Sequence, residues 1–163
     1  MKIGLISDTH GIFGQQFRDF FEPCDEIWHA GDMGGGFATA AEIAAFKPLV
    51  GVIGNCDDRR LIFDYPIYRY FKRENTNILM MHIGGFPGHY DAHARKLIEG
   101  YKPDLFVCGH SHILRVMHDD RYDMLVMNPG AAGLQGAHVL RTALRFDIGR
   151  DGLSNLEVLK VER

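Results

Sequence analysis

The chain has 163 residues, 46% of them hydrophobic, which is enough for a real core and sets the expectation of a single domain over 1–163. Eighteen Lys and Arg against 21 Asp and Glu leave a net charge of −3, which excludes a basic field for general nucleic-acid binding. Three cysteines in no paired spacing exclude a disulfide framework or a zinc finger, and no apolar run approaches a signal-peptide core or membrane span, so a soluble, reduced, cytoplasmic chain is expected. Nine histidines are the compositional anomaly.

In chain order, Ile3 to Ile6 is an apolar run that ends in Asp8-Thr9-His10-Gly11, a strand delivering two candidate ligands spaced i, i+2. Phe13, Phe17, Phe20 and Phe21 then fall at i, i+4, i+7 and i+8, an amphipathic helix that closes before Pro23 and whose stripe reads as core. Glu26 to Ala30 ends in Gly31-Asp32; His29, inside that run, reads as a satisfied core histidine. Gly34 to Gly36 reads as a flexible rim, because no P-loop lysine and serine follow. A weaker helical pattern over Ala40, Ile43, Ala44 and Lys47 stops at Pro48. Leu49 to Ile53 ends in Gly54-Asn55-Cys56-Asp57, and Arg59 and Arg60 beyond it read as solvated partners of Asp57 and Asp58.

Ile67 to Lys72 and Ile78 to Met81 form a hairpin across Glu74 to Asn77, and the second run ends in His82. Asp91 caps a helix carrying Ala94, Leu97, Ile98 and Tyr101, which Gly100 and Pro103 bring to a close. Leu105 to Cys108, bounded by Pro103 and Gly109, reads as a strand buried on both faces that runs into His110 and His112. In an extended backbone residues two apart project to one side, so both imidazoles are expected to aim at one small volume. Leu114 to His118 pairs with Met124 to Met127, and Thr142 to Ile148 with Leu156 to Val161 across Gly149 to Gly152. His118 and His138 lack partners at ligand spacing and read as surface. Five apolar runs thus end in Asp, His or Asn, at the strand ends where ligands gather on α/β sheets. Parallel and antiparallel strands with helices imply two sheets packed face to face and covered by helices, with the C-terminal hairpin in the second sheet.

Asp8-x-His10, Gly31-Asp32, Gly54-Asn55-Cys56-Asp57, His82 and Gly109-His110-Ser111-His112 occur in the order of the calcineurin-like metallophosphoesterase superfamily, which the chain resembles over nearly its whole length. The short chain, Cys56 and Asn128-Pro129-Gly130 are similar to its small YfcE-like phosphodiesterase branch. The resemblance implies an α/β fold, a four-layer α/β/β/α sandwich of two mixed sheets. It implies one metal on Asp8, His10, Asp32 and His112 and a second on Asp32, Asn55, His82 and His110, with Asp32 bridging. Imidazole with carboxylate suits two divalent transition-metal ions, manganese first, with nickel, iron, cobalt or zinc as alternatives. The implied activity is hydrolysis of a small-molecule phosphodiester by in-line attack of a metal-bridging hydroxide, without a phosphoenzyme.

Cys56 departs from the larger members, whose histidine at that place protonates the leaving group; as a poorer acid it reads as a small buried residue. The catalytic candidates are therefore Asn55, Cys56, Asp57, which would fix its loop or a ligating imidazole, and His89, a substitute acid in the glycine-rich loop after His82, with His93 a more distant one. The alternative functions are a phosphomonoesterase or nucleotidase of the same fold and a non-catalytic metal-binding scaffold similar to the retromer subunit. Exposed sheet edges leave room for a homo-oligomer.

Overall fold

The computed structural model describes residues 1–163. In chain order the elements are β1 (Lys2–Ile6), α1 (Gln15–Phe21), β2 (Glu26–His29), α2 (Phe37–Phe46), β3 (Leu49–Gly51), a short 3₁₀ segment (Arg59–Phe63), β4 (Tyr68–Arg73) and β5 (Thr76–Met81). The small strands β6 (Gly85–Phe86) and β7 (His89–Tyr90), α3 (Ala92–Tyr101), β8 (Leu105–Val107), β9 (Leu114–Asp119), β10 (Met124–Pro129), β11 (Leu140–Gly149) and β12 (Gly152–Glu162) follow. One five-stranded sheet has the order β12-β11-β1-β2-β3 and the other β4-β5-β8-β10-β9.

Parallel β1-β2-β3 run to one edge of the first sheet, with antiparallel β11 and β12 on the other side of β1, and parallel β5-β8-β10 form the centre of the second, edged by antiparallel β4 and β9. Central strands alternate between two apolar faces, as burial on both sides requires. Ile3, Leu5 and Trp28 meet Ile78, Met80 and Val107 between the sheets. On the outer face of the first sheet Phe17, Phe21 and Ile43 from α1 and α2 pack on Ile6 and Ile27, and on that of the second, Ala94 and Ile98 from α3 pack on Leu79 and Phe106. The result is the four-layer α/β/β/α sandwich. The phenylalanine stripe lies in this core, although α1 begins only at Gln15, with Gly14 as its N-cap and Phe13 buried ahead of it.

One expectation is overturned. The C-terminal hairpin joins the first sheet, not the second: β11 runs antiparallel to β1 with Ile3 opposite Phe146 and Leu5 opposite Leu144. The pairing sends Leu144, Phe146 and Ile148 into the core between the sheets. Of the five runs that end in candidate ligands, three lie in the first sheet and two in the second, with their carboxyl ends at one rim of the sandwich.

Candidate metal centre

The ends of β1, β2, β5 and β8 are stitched together by backbone hydrogen bonds: Asp8 N–H to the Gly31 carbonyl at 3.0 Å, His10 N–H to that of Asp32 at 3.1 Å, and Gly109 N–H to that of His82 at 3.0 Å. The sheets are joined by His82 Nδ1–H to the Ala30 carbonyl at 2.8 Å and His110 N–H to Asp8 Oδ2 at 3.1 Å, so candidate ligands from both come to one place. Gly109 is required there, since a Cβ would lie 2.0 Å from the Ser7 hydroxyl oxygen and 2.9 Å from Asp8 Oδ2.

Asp8, Asp32 and His82 form one buried group of converging donors, Asp8, His10 and His112 a second, and His10, Asp32 and Cys56 a third. Asp32 Oδ2 lies 3.2 Å from His82 Nε2 and 4.0 Å from His10 Nε2, and Asp8 Oδ1 lies 3.2 Å from His112 Nε2 and 3.9 Å from His82 Nε2. Both carboxylates, not Asp32 alone, therefore span the groups. Their other oxygens are committed: Asp32 Oδ1 accepts from Cys56 N–H at 2.8 Å, and Asp8 Oδ2 accepts from the Ser7 hydroxyl at 2.6 Å and His110 N–H at 3.1 Å.

The histidine pair separates. His110 and His112 hold φ of 65° and 58°, left-handed rather than extended. His112 turns to Asp8 with its ring 5.8 Å from that of His10, whereas the His110 ring lies 5.2 Å from that of His82. The expectation of one shared volume fails because neither residue is in a strand, and the backbone twist sends the rings to different ends of the cluster.

The donor set fits cations. His82 Nδ1–H donates to the Ala30 carbonyl at 2.8 Å, which points Nε2 at one oxygen of each of two carboxylates. Asp8 Oδ1, His10 Nε2 and His82 Nε2 are buried without a hydrogen-bond partner. Unpaired acceptors converging on one point repel unless a positive charge lies between them. Burial pushes the His82 imidazole down, and Asp32, Asp8 and the Ala30 carbonyl outweigh it, so its pKa stands above the ordinary value. For Asp32 burial pushes up, but His82 and the Cys56 backbone hold the carboxyl well below the usual range.

Asn55 and Cys56 are exposed at the rim, and Asn55 Nδ2 donates to Cys56 Sγ at 3.3 Å, leaving its amide oxygen free. Cys56 is thus not the small buried residue expected. Desolvation and the charges of Asp32, Asp57 and Asp8 keep its thiol above its ordinary pKa. Asp57 touches no imidazole; it accepts from Gly34 N–H at 2.9 Å and Gly54 N–H at 2.8 Å, tying two loops together. Gly34 is consequently pinned, with φ of 69° and no room for a Cβ beside His10, and is not part of a flexible rim. His89 is exposed at the tip of the β6-β7 hairpin with its ring 4.9 Å from Phe86; the cavity beside Asn55 and His82 is lined by His93 instead. His138 is no free surface residue either, since its ring packs 5.2 Å from that of His112 and its Nε2–H donates to the Gly133 carbonyl at 3.0 Å.

The calcineurin-like phosphoesterase superfamily domain matches residues 1–151. The chain belongs to that superfamily. No curated protein matches the sequence of this superfamily member. Among solved structures it is similar to a single-substitution variant of Vps29 from Entamoeba histolytica, at 17% identity and a TM-score of 0.77, over 100% of this chain and 99% of that one. It is similar to wild-type Vps29 of that organism complexed with Zn²⁺, at 17% identity and a TM-score of 0.75, over 99% of each chain. An archaeal phosphodiesterase is 21% identical with a TM-score of 0.73, over 99% of this chain and 100% of that one. At these identities the likeness is one of fold.

Sequence reasoning missed two supports of this superfamily site, Ser7 and Thr9, and the framing role of a third, Asn128, which it had named only as a mark of the family branch. Ser7 holds Asp8. Thr9 links His29 Nε2, at 2.9 Å, to the Met33 carbonyl, at 2.8 Å. Asn128 donates to the Gly109 carbonyl at 2.7 Å and the Ser111 hydroxyl at 3.1 Å while accepting from Gly130 N–H at 2.9 Å, so it frames the loop that carries His110 and His112. A hydroxyl or amide placed just where an apolar run meets a ligand was the available signal.

Proposed function

We propose that the protein is a dinuclear metal-dependent phosphodiesterase acting on a small-molecule diester. The reading is carried by the convergence of Asp8, Asp32 and the ring nitrogens of His10, His82 and His112 in one cluster. Asp8, His10, Asp32 and His112 would hold one cation, and Asp32, Asn55, His82 and His110 the other; manganese suits this mixture of imidazole and carboxylate, as do nickel, iron, cobalt and zinc. Two divalent cations supply polarisation of the phosphoryl oxygens and a water acidified to a pKa near neutrality.

The chain's own groups set up the rest. Asp8 and Asp32 bring two negative charges against the cations, and the neutral imidazoles add none, so the loaded site remains attractive to a phosphate anion. Ser7, the Cys56 N–H and the Ala30 carbonyl fix the rotamers of Asp8, Asp32 and His82. Asp57 holds the Asn55 loop against the Gly34 loop, which keeps the Asn55 amide at the mouth. A water would lose a proton as its oxygen attacks phosphorus in line, the ester P–O bond breaks, and the leaving oxygen departs as its anion to be protonated by solvent, so no side-chain nucleophile is needed.

The second reading, a metal-binding scaffold without activity, is favoured by Cys56 standing where an acid is wanted. Hydrolysis of bis-p-nitrophenyl phosphate against p-nitrophenyl phosphate by chelator-stripped protein with metal returned decides between them. The diester should be turned over faster, with Asp32→Ala inactive. Metal binding without turnover of either ester contradicts the enzyme reading, and faster monoester turnover makes it a phosphatase.

A further inference from the structure

Two cavities open beside the ligand cluster and meet at Ile53, Gly54, Asn55 and Ile67. The first, about 270 Å³, runs from His82 between Ile67 and Ile83 to Asp91 and His93 at the start of α3. The second, about 550 Å³, runs from Asn55 past Ile62 to Arg59. Ile62, Ile67 and Ile83 are 41%, 52% and 40% exposed, whereas Leu61 and Met81 near them in sequence are 1% and 3% exposed. Three aliphatic side chains left in water around one polar centre form a rim that a bound apolar group would cover.

Sizes and continuity limit the occupant. Both cavities share Asn55, and the first also includes His82, so a phosphorus held at the cluster borders both cavities. The first is below the ~300 Å³ at which pockets begin to bury whole drug-sized ligands, and fits one ring rather than a complete nucleotide. A monoester has one substituent and leaves the other cavity empty, and a methyl group fills neither. In the second cavity Arg59 has no carboxylate partner, whereas Arg60 is committed to Asp58 at 2.6 Å.

Resting on the phosphodiesterase reading above, we propose that the two cavities are seats for the two ester substituents of the substrate. The substrate is a diester with two sizeable groups, one of them an aromatic or similarly apolar ring clasped between Ile67 and Ile83. These isoleucines set specificity without touching the reacting atoms.

The test keeps the leaving group constant. With manganese-loaded protein, kcat/KM is compared for phenyl p-nitrophenyl phosphate and methyl p-nitrophenyl phosphate, each divided by its uncatalysed rate. Calorimetry measures binding of the inert anions diphenylphosphinate and dimethylphosphinate to the same protein. The phenyl compounds should be favoured by about tenfold or more in both measurements. Ile67→Asp, and independently Ile83→Ser, should draw both ratios toward one, and because ratios are read, a partly unfolded variant does not imitate the result. Ratios near one in the unsubstituted protein, or ratios unmoved by both substitutions, overturn the proposal. Turnover with a ratio near one leaves the phosphodiesterase reading in place. Absence of turnover fails that reading, and the phosphinate ratio still decides the seats.

Discussion

Asp8, His10, Asp32, His110 and His112 all hold φ between 46° and 65°, in the left-handed region. Each costs roughly 1–2 kcal/mol for its Cβ, a strain that persists only where the surroundings impose it. His110 is exposed, so replacing it tests the cost with little loss of packing. His110→Gly should raise the stability of the metal-free protein by up to about 1 kcal/mol in urea denaturation while weakening metal binding; a destabilised variant would contradict this. His29 has a different cost. It is fully buried, accepts from Gly31 N–H at 3.1 Å, and burial lowers its pKa from 6.5 to about 4. Above pH 6.5 the ring is neutral in the folded and unfolded chain alike. As the pH falls toward 4 the unfolded chain gains a proton that the folded chain refuses, and stability on the order of 3 kcal/mol is lost across that window. In chelated protein the unfolding free energy of His29→Gln should vary less between pH 7.5 and 4.5 than that of the unsubstituted chain, and equal slopes would refute the assignment.

At the scale of elements, what repeats locally was legible and what depends on distant pairing was not. Parallel strands ending in ligands follow from apolar runs that stop at Asp8, Asp32, Asn55, His82 and His110, and Asp91 caps α3 as its sequence predicts, accepting from His93 N–H at 2.8 Å. The turn at Arg150 and Asp151 was equally plain, but nothing within 140–162 states that β11 lies against β1, because an amphipathic hairpin suits the edge of either sheet. The split of His110 from His112 was hidden for a related reason: spacing carries direction only where the backbone is regular, and this loop is shaped by Asn128 from β10. Two outcomes follow. Asn128→Ala should leave the fold intact and lower metal affinity by about 10- to 100-fold in a competition titration with a chelating dye; unchanged affinity would show that the loop holds itself. Deleting residues 140–163 removes Leu144, Phe146 and Ile148 from the core and should abolish the cooperative unfolding transition. A truncated chain that still melts cooperatively would mean that the hairpin is dispensable to the first sheet.

Across the whole molecule, two sheets contribute unequal shares to one centre. Asp8, His10, Asp32 and Asn55 follow strands of the first sheet, and His82, His110 and His112 follow strands of the second. The core between the sheets therefore sets the spacing of the donors, and the four-layer architecture is what brings so many candidate metal ligands together. No helix is long and apolar enough to cross a membrane, in keeping with this division of the chain between sheets and their covering layers. The central claim, that activity needs both halves of the donor set loaded, is tested most directly by measuring bis-p-nitrophenyl phosphate hydrolysis as manganese is added in known equivalents to chelator-stripped protein at a concentration far above the dissociation constants. Turnover should rise until two equivalents are bound and then level off. Turnover complete at one equivalent, or absent at two, would contradict the account.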